Sequence, residues 1–308
     1  MITALGGGVG AAKFLEGLSG VIGDESLSII VNTGDDIVLH GLRISPDVDT
    51  VIYRLSGHID KQKGWGIVDD TFNSLMALAR FGGETWFNIG DVDFATHIFR
   101  TYMRQSGCPP SEITSKLASS FGVKENIRVM PMTDEDVETW IVTNEGEMHF
   151  QEYLVKQRMR PDVIKVVFKN IERAKPSPGV IEAIRDAGLI ILCPSNPIIS
   201  IGPILNIKGI GEALRNTDAK IIAISPLIGG IPLKGPADKL MRGLGLEVSS
   251  AQIARLYQDF LDVMVIDRED AREAGRISEM GIKPLVMDIL MSDPAKAAKL
   301  ASAVLSEA

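Results

Sequence analysis

Two cysteines in 308 residues, with no Cys-x-x-Cys spacing, exclude a disulfide-stapled fold and a zinc ribbon. Cys108 and Cys193 therefore read as reduced thiols. Histidine is as sparse: His40, His58, His97 and His149 stand too far apart to form a local metal motif. Lys/Arg runs are missing, and 40 acidic against 32 basic residues leave a formal charge of −8. Such a surface repels phosphate backbones, so nucleic acid is excluded as a partner. No apolar run approaches the roughly 20 residues that span a bilayer. The start, Met1-Ile-Thr-Ala-Leu-Gly6, lacks a basic region followed by a cleavable apolar segment. A cytoplasmic protein with no membrane partner is expected. What is present is a globular composition, 45% hydrophobic and 23% charged, which excludes disorder as the main state.

Short β-rich runs alternate with helical patterns. Strands are expected at Ile2–Leu5, Leu27–Asn32, Ile127–Met130, Thr139–Thr143, Ile164–Phe168, Leu189–Cys193, Lys220–Ile224, Val263–Ile266 and Pro284–Met287. Several are apolar at every position, as strands buried on both faces are. Helices are expected at Ala11–Leu18, Asp70–Arg80, Pro178–Ala187, Ile207–Arg215, Ser250–Leu261 and Asp293–Ser306, the last with Asp293 as cap and Pro294 at its first position. This alternation predicts a single α/β domain over 1–308, with a doubly wound, mostly parallel sheet. The stretch from about 47 to 123 has few β-branched runs and reads as a mainly helical insertion or cap. Thr139–Gln151 reads as a hairpin turning at Asn144-Glu-Gly146.

The first strand runs directly into Gly6-Gly7-Gly8-Val9-Gly10-Ala11-Ala12-Lys13 and then a helix. Glycines let a phosphate approach the backbone, and free N–H groups with the helix dipole favour its charge. Gly6-x-Gly8-x-x-Ala11 fits the looser dinucleotide fingerprint, while the Walker order is absent. The bland alternative is a tight βα turn. The second strand ends in Val31-Asn32-Thr33-Gly-Asp35-Asp36, where open α/β sheets bind ligands. Those residues suit a sugar, a base or a metal, and equally a capped turn.

Acids then come in pairs: Asp47 and Asp49, Asp69 and Asp70, Asp91 and Asp93. Each pair alone reads as helix capping. Together, beside a phosphate loop, they suggest a Mg²⁺–diphosphate site. A second set of ligand groups follows the strand Leu189–Cys193, namely Ser195, Asn196, Ser200 and Gly202, and Lys234 and Lys239 lie beyond the next strand.

In order along the chain stand the Gly6–Lys13 loop, Val31-Asn-Thr33, Ser45-Pro-Asp-Val-Asp-Thr50, Asp70-Thr-Phe72, Gly90-Asp-x-Asp-x-Ala-Thr-His97, Met148-His-Phe-Gln151, Pro194-Ser-Asn-Pro197, Ser200-Ile-Gly-Pro203 and Tyr257-Gln-Asp-Phe-Leu-Asp262. As an ordered set they resemble the 2-phospho-L-lactate transferase family, CofD, from about Met1 to Asp270. The resemblance implies a Rossmann-like fold, a homodimer and dependence on Mg²⁺. It implies transfer of phospholactate from lactyl-2-diphospho-5′-guanosine to the ribityl hydroxyl of 7,8-didemethyl-8-hydroxy-5-deazariboflavin (FO), with release of GMP, on the route to coenzyme F420.

Under that resemblance Asp49 and Asp47 are the expected catalytic acids, and Asp47, Asp49 and Asp35 the expected Mg²⁺ ligands. FO is expected at Asp49, Asn88, Asp91, Thr96 and His97. The nucleotide and its phosphates are expected at Gly6, Gly7, Gly8, Gly10, Lys13, Asn32, Thr33, Ser195, Asn196, Ser200 and Gly202. The chain departs from the family pattern at three places. Asn88 stands where relatives carry a basic residue, Val92 where they often carry arginine, and Ala11-Ala12 where Thr-Pro is common. Asn88 can hydrogen-bond FO but brings no charge. The competing readings are a nucleotide-sugar-binding regulator without transferase activity and, behind it, a nicotinamide-dependent oxidoreductase.

Overall fold

The computed structural model describes residues 1–307. The chain begins with β1 (Ile2–Gly6), α1 (Gly8–Val21) and β2 (Leu27–Val31). Before the next sheet strand it runs through a small hairpin, β3 (Ile37–Leu39) and β4 (Leu42–Ile44), and four helices. These are α2 (Pro46–Leu55), α3 (Asn73–Arg80), α4 (Asp91–Gln105) and α5 (Pro110–Phe121). β5 (Ile127–Pro131) then rejoins the sheet, and β6 (Glu138–Thr143), β7 (Gly146–His149) and β8 (Val163–Lys169) follow.

The second half supplies α6 (Val180–Arg185), β9 (Leu189–Leu192), α7 (Gly202–Asn206), α8 (Ile210–Arg215) and β10 (Lys220–Ile224). A two-residue ribbon, β11 (Leu227–Ile228) and β12 (Ile231–Pro232), leads to α9 (Ala237–Gly243) and α10 (Ser250–Leu256). The chain ends with β13 (Val263–Asp267), α11 (Ala274–Ser278), β14 (Lys283–Met287) and α12 (Pro294–Leu305).

Seven strands form one sheet in the order β14-β13-β10-β9-β1-β2-β5, and every neighbouring pair is parallel. The continuous apolar runs are explained by this. β1, β2, β9 and β13 are buried at every residue, because helices cover both faces. Along β2, Leu27, Ile29 and Val31 face the layer holding α1, α2, α5 and α12, whereas Ile30 faces the layer of α6, α8, α10 and α11. That alternation is the period-two side-chain geometry of a strand. From β1 the chain winds outward one way to β2 and β5, then returns beside β1 as β9 and winds the other way. The switch point therefore lies between β1 and β9, where such folds open a crevice at the strands' C-terminal ends.

Two expected strands do not join this sheet. Thr139–Thr143 and Ile164–Phe168 lie within β6 and β8, which pair antiparallel with β7 in a separate three-stranded sheet. The alternating burial of β6 marks a strand covered on one face only. The Thr143–Gly146 turn joins β6 to β7 where the hairpin was expected. The α3 helix starts at Asn73 rather than Asp70, for a reason given below. Asp293 caps α12 as expected, accepting a bond from Lys296 N at 2.9 Å. Among the described residues no helix is long and apolar enough to cross a membrane.

Candidate active site

Three of the N-terminal glycines sit where a side chain would collide with a neighbour. A Cβ on Gly7 would lie 2.0 Å from Asp47 Oδ2, one on Gly10 2.2 Å from Pro194 O, and one on Gly6 2.7 Å from Ser195 Oγ. The β1–α1 loop is thus pressed between the start of α2 and the loop after β9. Ser195 closes the second contact: its hydroxyl donates to Gly7 O at 3.0 Å and accepts from Gly7 N at 3.2 Å. The crevice residues expected to bind a nucleotide are therefore joined across the switch point. Asn196 caps the turn that follows, with Oδ1 accepting from Ile198 N (3.0 Å) and Ile199 N (3.3 Å), and its buried Nδ2 has no partner. Ser200 is buried inside that turn, and a Cβ on Gly202 would come within 3.3 Å of Pro197 O. Lys13 is committed elsewhere, donating to Met291 O at 3.2 Å.

Beyond β2 the chain places four carboxylates close together. Asn32 bridges them to the loop: Nδ2 donates to Asp47 Oδ2 at 2.9 Å, and Oδ1 accepts from Gly34 N at 2.9 Å. Asp35 is buried with Oδ1 unpartnered, and Thr33 Oγ1 beside it is unpartnered too. Burial first, then the charge of Asp47, pushes the Asp35 carboxyl well above its ordinary range. Burial likewise raises Asp47, against the hydrogen bonds from Asn32 and the Gly8 backbone. Ser45 Oγ donates to Asp36 Oδ2 at 2.7 Å, the other Asp36 oxygen has no partner, and burial pushes its carboxyl up to about 8.

The loop bearing Asp35 and Asp36 is held from the three-stranded sheet. His149 Nδ1 accepts from Gln151 N at 3.1 Å, so the ring hydrogen is on Nε2, 3.1 Å from the Asp36 carbonyl. That assigns a task to the Met148–Gln151 motif that spacing alone did not reveal.

Asp49, two residues after Asp47 on α2, points to a different neighbour. Its Oδ1 pairs with Arg100 of α4, and its Oδ2 has no hydrogen-bond partner. Arg100 Nη1 lies 3.1 Å from His97 Nδ1, and His97 Nε2 lies 3.4 Å from Asp93 Oδ1. Tyr53 donates its hydroxyl hydrogen toward Asp93 Oδ1 at 2.7 Å and also lies 3.0 Å from Thr96 Oγ1. Burial raises the Asp49 carboxyl, and the charge of Arg100 opposes that without cancelling it. For Asp93 the balance reverses: burial pushes up, but the adjacent His97 ring and the Tyr53 hydroxyl hold it below its ordinary value. Asp93 stood in the sequence only as one of the paired acids, and Arg100 and Tyr53 were not in the expected set. Their only sequence signal is helical spacing, with 93, 97 and 100 on one face of α4 and 49 and 53 on one face of α2.

Two clusters compete as the place for a divalent cation. Donor atoms of Asp49, Asp93 and His97 lie within 4.8 Å of one another. That cluster already holds the Arg100 guanidinium, whose charge answers Asp49, and an imidazole suits Mg²⁺ poorly. Asp35 and Asp47 fit better: both are oxygen donors, each is raised by burial, no cationic side chain contributes to either, and an Asp35 oxygen is unpartnered.

Of the other residues expected at FO, Asp91 spends its bonds on a neighbouring helix. Asp91 accepts from Thr71 Oγ1 (2.5 Å), Asn73 N (3.0 Å), Asn73 Nδ2 (3.1 Å) and Ser74 N (2.8 Å), so it caps α3. The Thr71 and Ser74 bonds hold its carboxyl far below the ordinary range. Asp70 returns the arrangement by accepting from Val92 N (2.9 Å) and Asp93 N (3.0 Å) at the start of α4. Its side chain belongs to the other helix, which is why α3 does not begin there. Asn88 is exposed, whereas Thr96 and His97 are buried, His97 at 1% exposure.

The chain matches the family model for 2-phospho-L-lactate transferase CofD over residues 2–305. It is 42% identical over 298 residues to a 2-phospho-L-lactate transferase of Methanosarcina mazei, covering 97% of each chain. It is equally 42% identical over 298 residues to a phosphoenolpyruvate transferase of Streptomyces griseus, covering 95% of this chain and 93% of the relative. A solved UPF0052-family protein from Bacillus halodurans shares the fold, with a TM-score of 0.64, 17% identity and coverage of 99% of this chain and 98% of that one. With the family model spanning nearly the whole sequence and relatives above 40% identity, the chain is a transferase and belongs to the 2-phospho-L-lactate transferase CofD family.

Proposed function

We propose that the protein moves a phospholactyl group from lactyl-2-diphospho-5′-guanosine to the ribityl hydroxyl of FO, releasing GMP, as a step in making coenzyme F420. The observation that carries this is the first turn of α2. Asp47 there faces the glycine loop and Asn32, and Asp49, two residues on, keeps a carboxylate oxygen free. One turn of helix thus addresses a phosphate site and an acceptor site together.

The glycine loop and the Ser195–Asn196 loop hold the guanosine diphosphate part of the donor. Asp47 and Asp35 hold Mg²⁺, which when bound neutralises diphosphate charge and polarises the phosphorus–oxygen bonds. Asp49 Oδ2 orients the FO hydroxyl and accepts its proton. The hydroxyl oxygen bonds to the phosphorus next to lactate while the bond to the GMP oxygen breaks, and GMP leaves with the electron pair. Positioning and charge neutralisation supply most of the rate. We place this reaction in the cytoplasm and expect a homodimer. The exposed face of α4 carrying Val92, Phe99 and Tyr102 offers an apolar surface for it, and sedimentation velocity reads the outcome.

The test incubates the protein with FO, Mg²⁺ and either the lactyl or the enolpyruvyl guanosine diphosphate, and weighs the products by mass spectrometry. Phospholactyl-FO and GMP are expected. Product from the enolpyruvyl donor alone would reassign the three-carbon acid, and no FO adduct from either would sink the reading in favour of a nucleotide-sugar regulator.

A further inference from the structure

We infer that His97 is a positioning residue: through Arg100 it fixes the orientation of the Asp49 carboxylate, and it does not itself touch the acceptor. Its consequence for turnover rests on the transferase reading above; the geometry stands without it.

A guanidinium only donates hydrogen bonds. Arg100 Nη1 lies 3.1 Å from His97 Nδ1, so that nitrogen presents a lone pair. The neutral ring then carries its hydrogen on Nε2, which lies 3.4 Å from Asp93 Oδ1 without forming a hydrogen bond. Asp93 is itself fixed, because the Tyr53 hydroxyl donates to the same oxygen at 2.7 Å. Asp93 thus packs at one edge of the ring, the other edge holds one arm of Arg100, and the other arm of Arg100 takes Asp49 Oδ1. Asp49 Oδ2 is left without a hydrogen-bond partner, 3.8 Å from His97 Nδ1. His97 is 1% exposed, so no face of the ring is open to a ligand.

The helices explain why the chain is rigid. Asp93, His97 and Arg100 stand at i, i+4 and i+7 of α4, and Asp49 and Tyr53 at i and i+4 of α2. Each helix supplies a stacked row, and Arg100 with Tyr53 ties the rows together. Because α2 also carries Asp47, the tie sets the spacing between the two halves of the site.

Two replacements separate the roles of the ring. His97→Asn keeps an acceptor near the position of Nδ1, and His97→Phe removes both nitrogens while filling similar space. The parent and both variants are compared for kcat, for KM of FO and donor, for FO affinity by its own fluorescence, and for unfolding temperature. His97→Phe is expected to lower kcat on the order of 100-fold, as misplacement of a reacting group does. Its FO dissociation constant should stay within about twofold, and His97→Asn should recover most of the lost kcat. In an Arg100→Met background, His97→Phe should add little, since the two act in series. An FO affinity that falls in step with kcat would show that the ring contacts the acceptor and overturn the inference. So would a His97→Asn as poor as His97→Phe, or losses that add in the double variant.

Independently of turnover, ¹⁵N NMR of histidine-labelled protein should show His97 with a bare Nδ1 and a protonated Nε2. A hydrogen on Nδ1 overturns the inference even in a protein that transfers nothing. If the parent makes no FO adduct, the functional reading fails while this measurement still decides the geometry.

Discussion

Asp70 with Asp91, and Asp47 with Asp49, look alike in the sequence: acids at or just before the start of helices. The structure gives them opposite surroundings. Asp91 collects four donors and Asp70 two backbone N–H groups, and the Asp91 carboxyl is held far below its ordinary range. Asp47 and Asp49 are buried and raised, and Asp49 keeps an oxygen unpartnered, as does Asp35 beside Asp47. A carboxylate whose hydrogen bonds are all made by its own chain is finished as structure. One left raised and short of partners is a place where a ligand or cation would complete the bonding.

The largest expected effect separates the two pairs by kinetics. Asp49→Asn should lower kcat by about 10²–10⁴-fold, the range for losing a positioned proton acceptor. Its unfolding temperature should fall as well, because the buried Arg100 guanidinium is left without its countercharge. Asp91→Asn should leave kcat within about threefold. Equal losses of kcat in the two variants would erase the distinction between the pairs.

Next come two glycines placed alike. A Cβ on Gly7 would lie 2.0 Å from Asp47 Oδ2, and one on Gly90 would lie 2.1 Å from Asp70 Oδ2. Neither glycine has a positive φ, so the constraint is close approach alone. Gly7→Ala should displace the Asp47 carboxylate and lower turnover at limiting Mg²⁺ by about 100-fold, with partial recovery at high Mg²⁺. Gly90→Ala should displace Asp70 and act on stability instead. Urea titrations beside steady-state kinetics would read both, and a Gly90→Ala that lost turnover without losing stability would place Asp70 in the site.

Smaller still are the caps themselves. Asp70→Ala and Asp91→Ala each remove acceptors from a helix N-terminus, worth about 1 kcal/mol apiece. That should lower the unfolding temperature by roughly 1–2 °C in a chain of this size. Calorimetry checks it, and unchanged temperatures would mean that solvent replaces the caps fully.

These contrasts also mark how far the sequence was legible. The parallel sheet was readable because strands buried on both faces leave unbroken apolar runs, as at Leu189–Leu192. The glycine loop was readable because strand, glycines and helix adjoin. Asp49 came from an ordered set of motifs. Arg100 was not readable, because its role depends on α2 and α4 crossing at Asp49, and no local spacing reports a crossing. His149 was hidden for the same reason: the Asp36 carbonyl it holds is 113 residues away. The acid pairs misled in one respect, since reciprocal capping between α3 and α4 requires knowing that two helix starts meet. Spacing names the residue types that chemistry needs; partners made across the fold decide which of them are spare.

The subtlest effect tests the electrostatic half of the comparison at Asp36. Its carboxyl is pushed by burial from an ordinary 3.8 up to about 8 in the folded protein. Between those values the folded chain keeps a proton that the unfolded chain has released, so stability falls as pH rises through the window. Asp36→Asn has no such proton, and its amide still offers an acceptor to Ser45 Oγ. Measured without metal, in the presence of a chelator, the unfolding temperature of the variant minus that of the parent should be smallest near pH 4. It should grow to a few degrees by pH 8. The raised carboxyls of Asp35 and Asp47 titrate in both proteins and largely cancel in the difference. A difference flat from pH 4 to pH 8 would mean that Asp36 is ionised in the fold. Burial would then not distinguish the acids beyond β2 from the capping pair, and only their missing hydrogen-bond partners would.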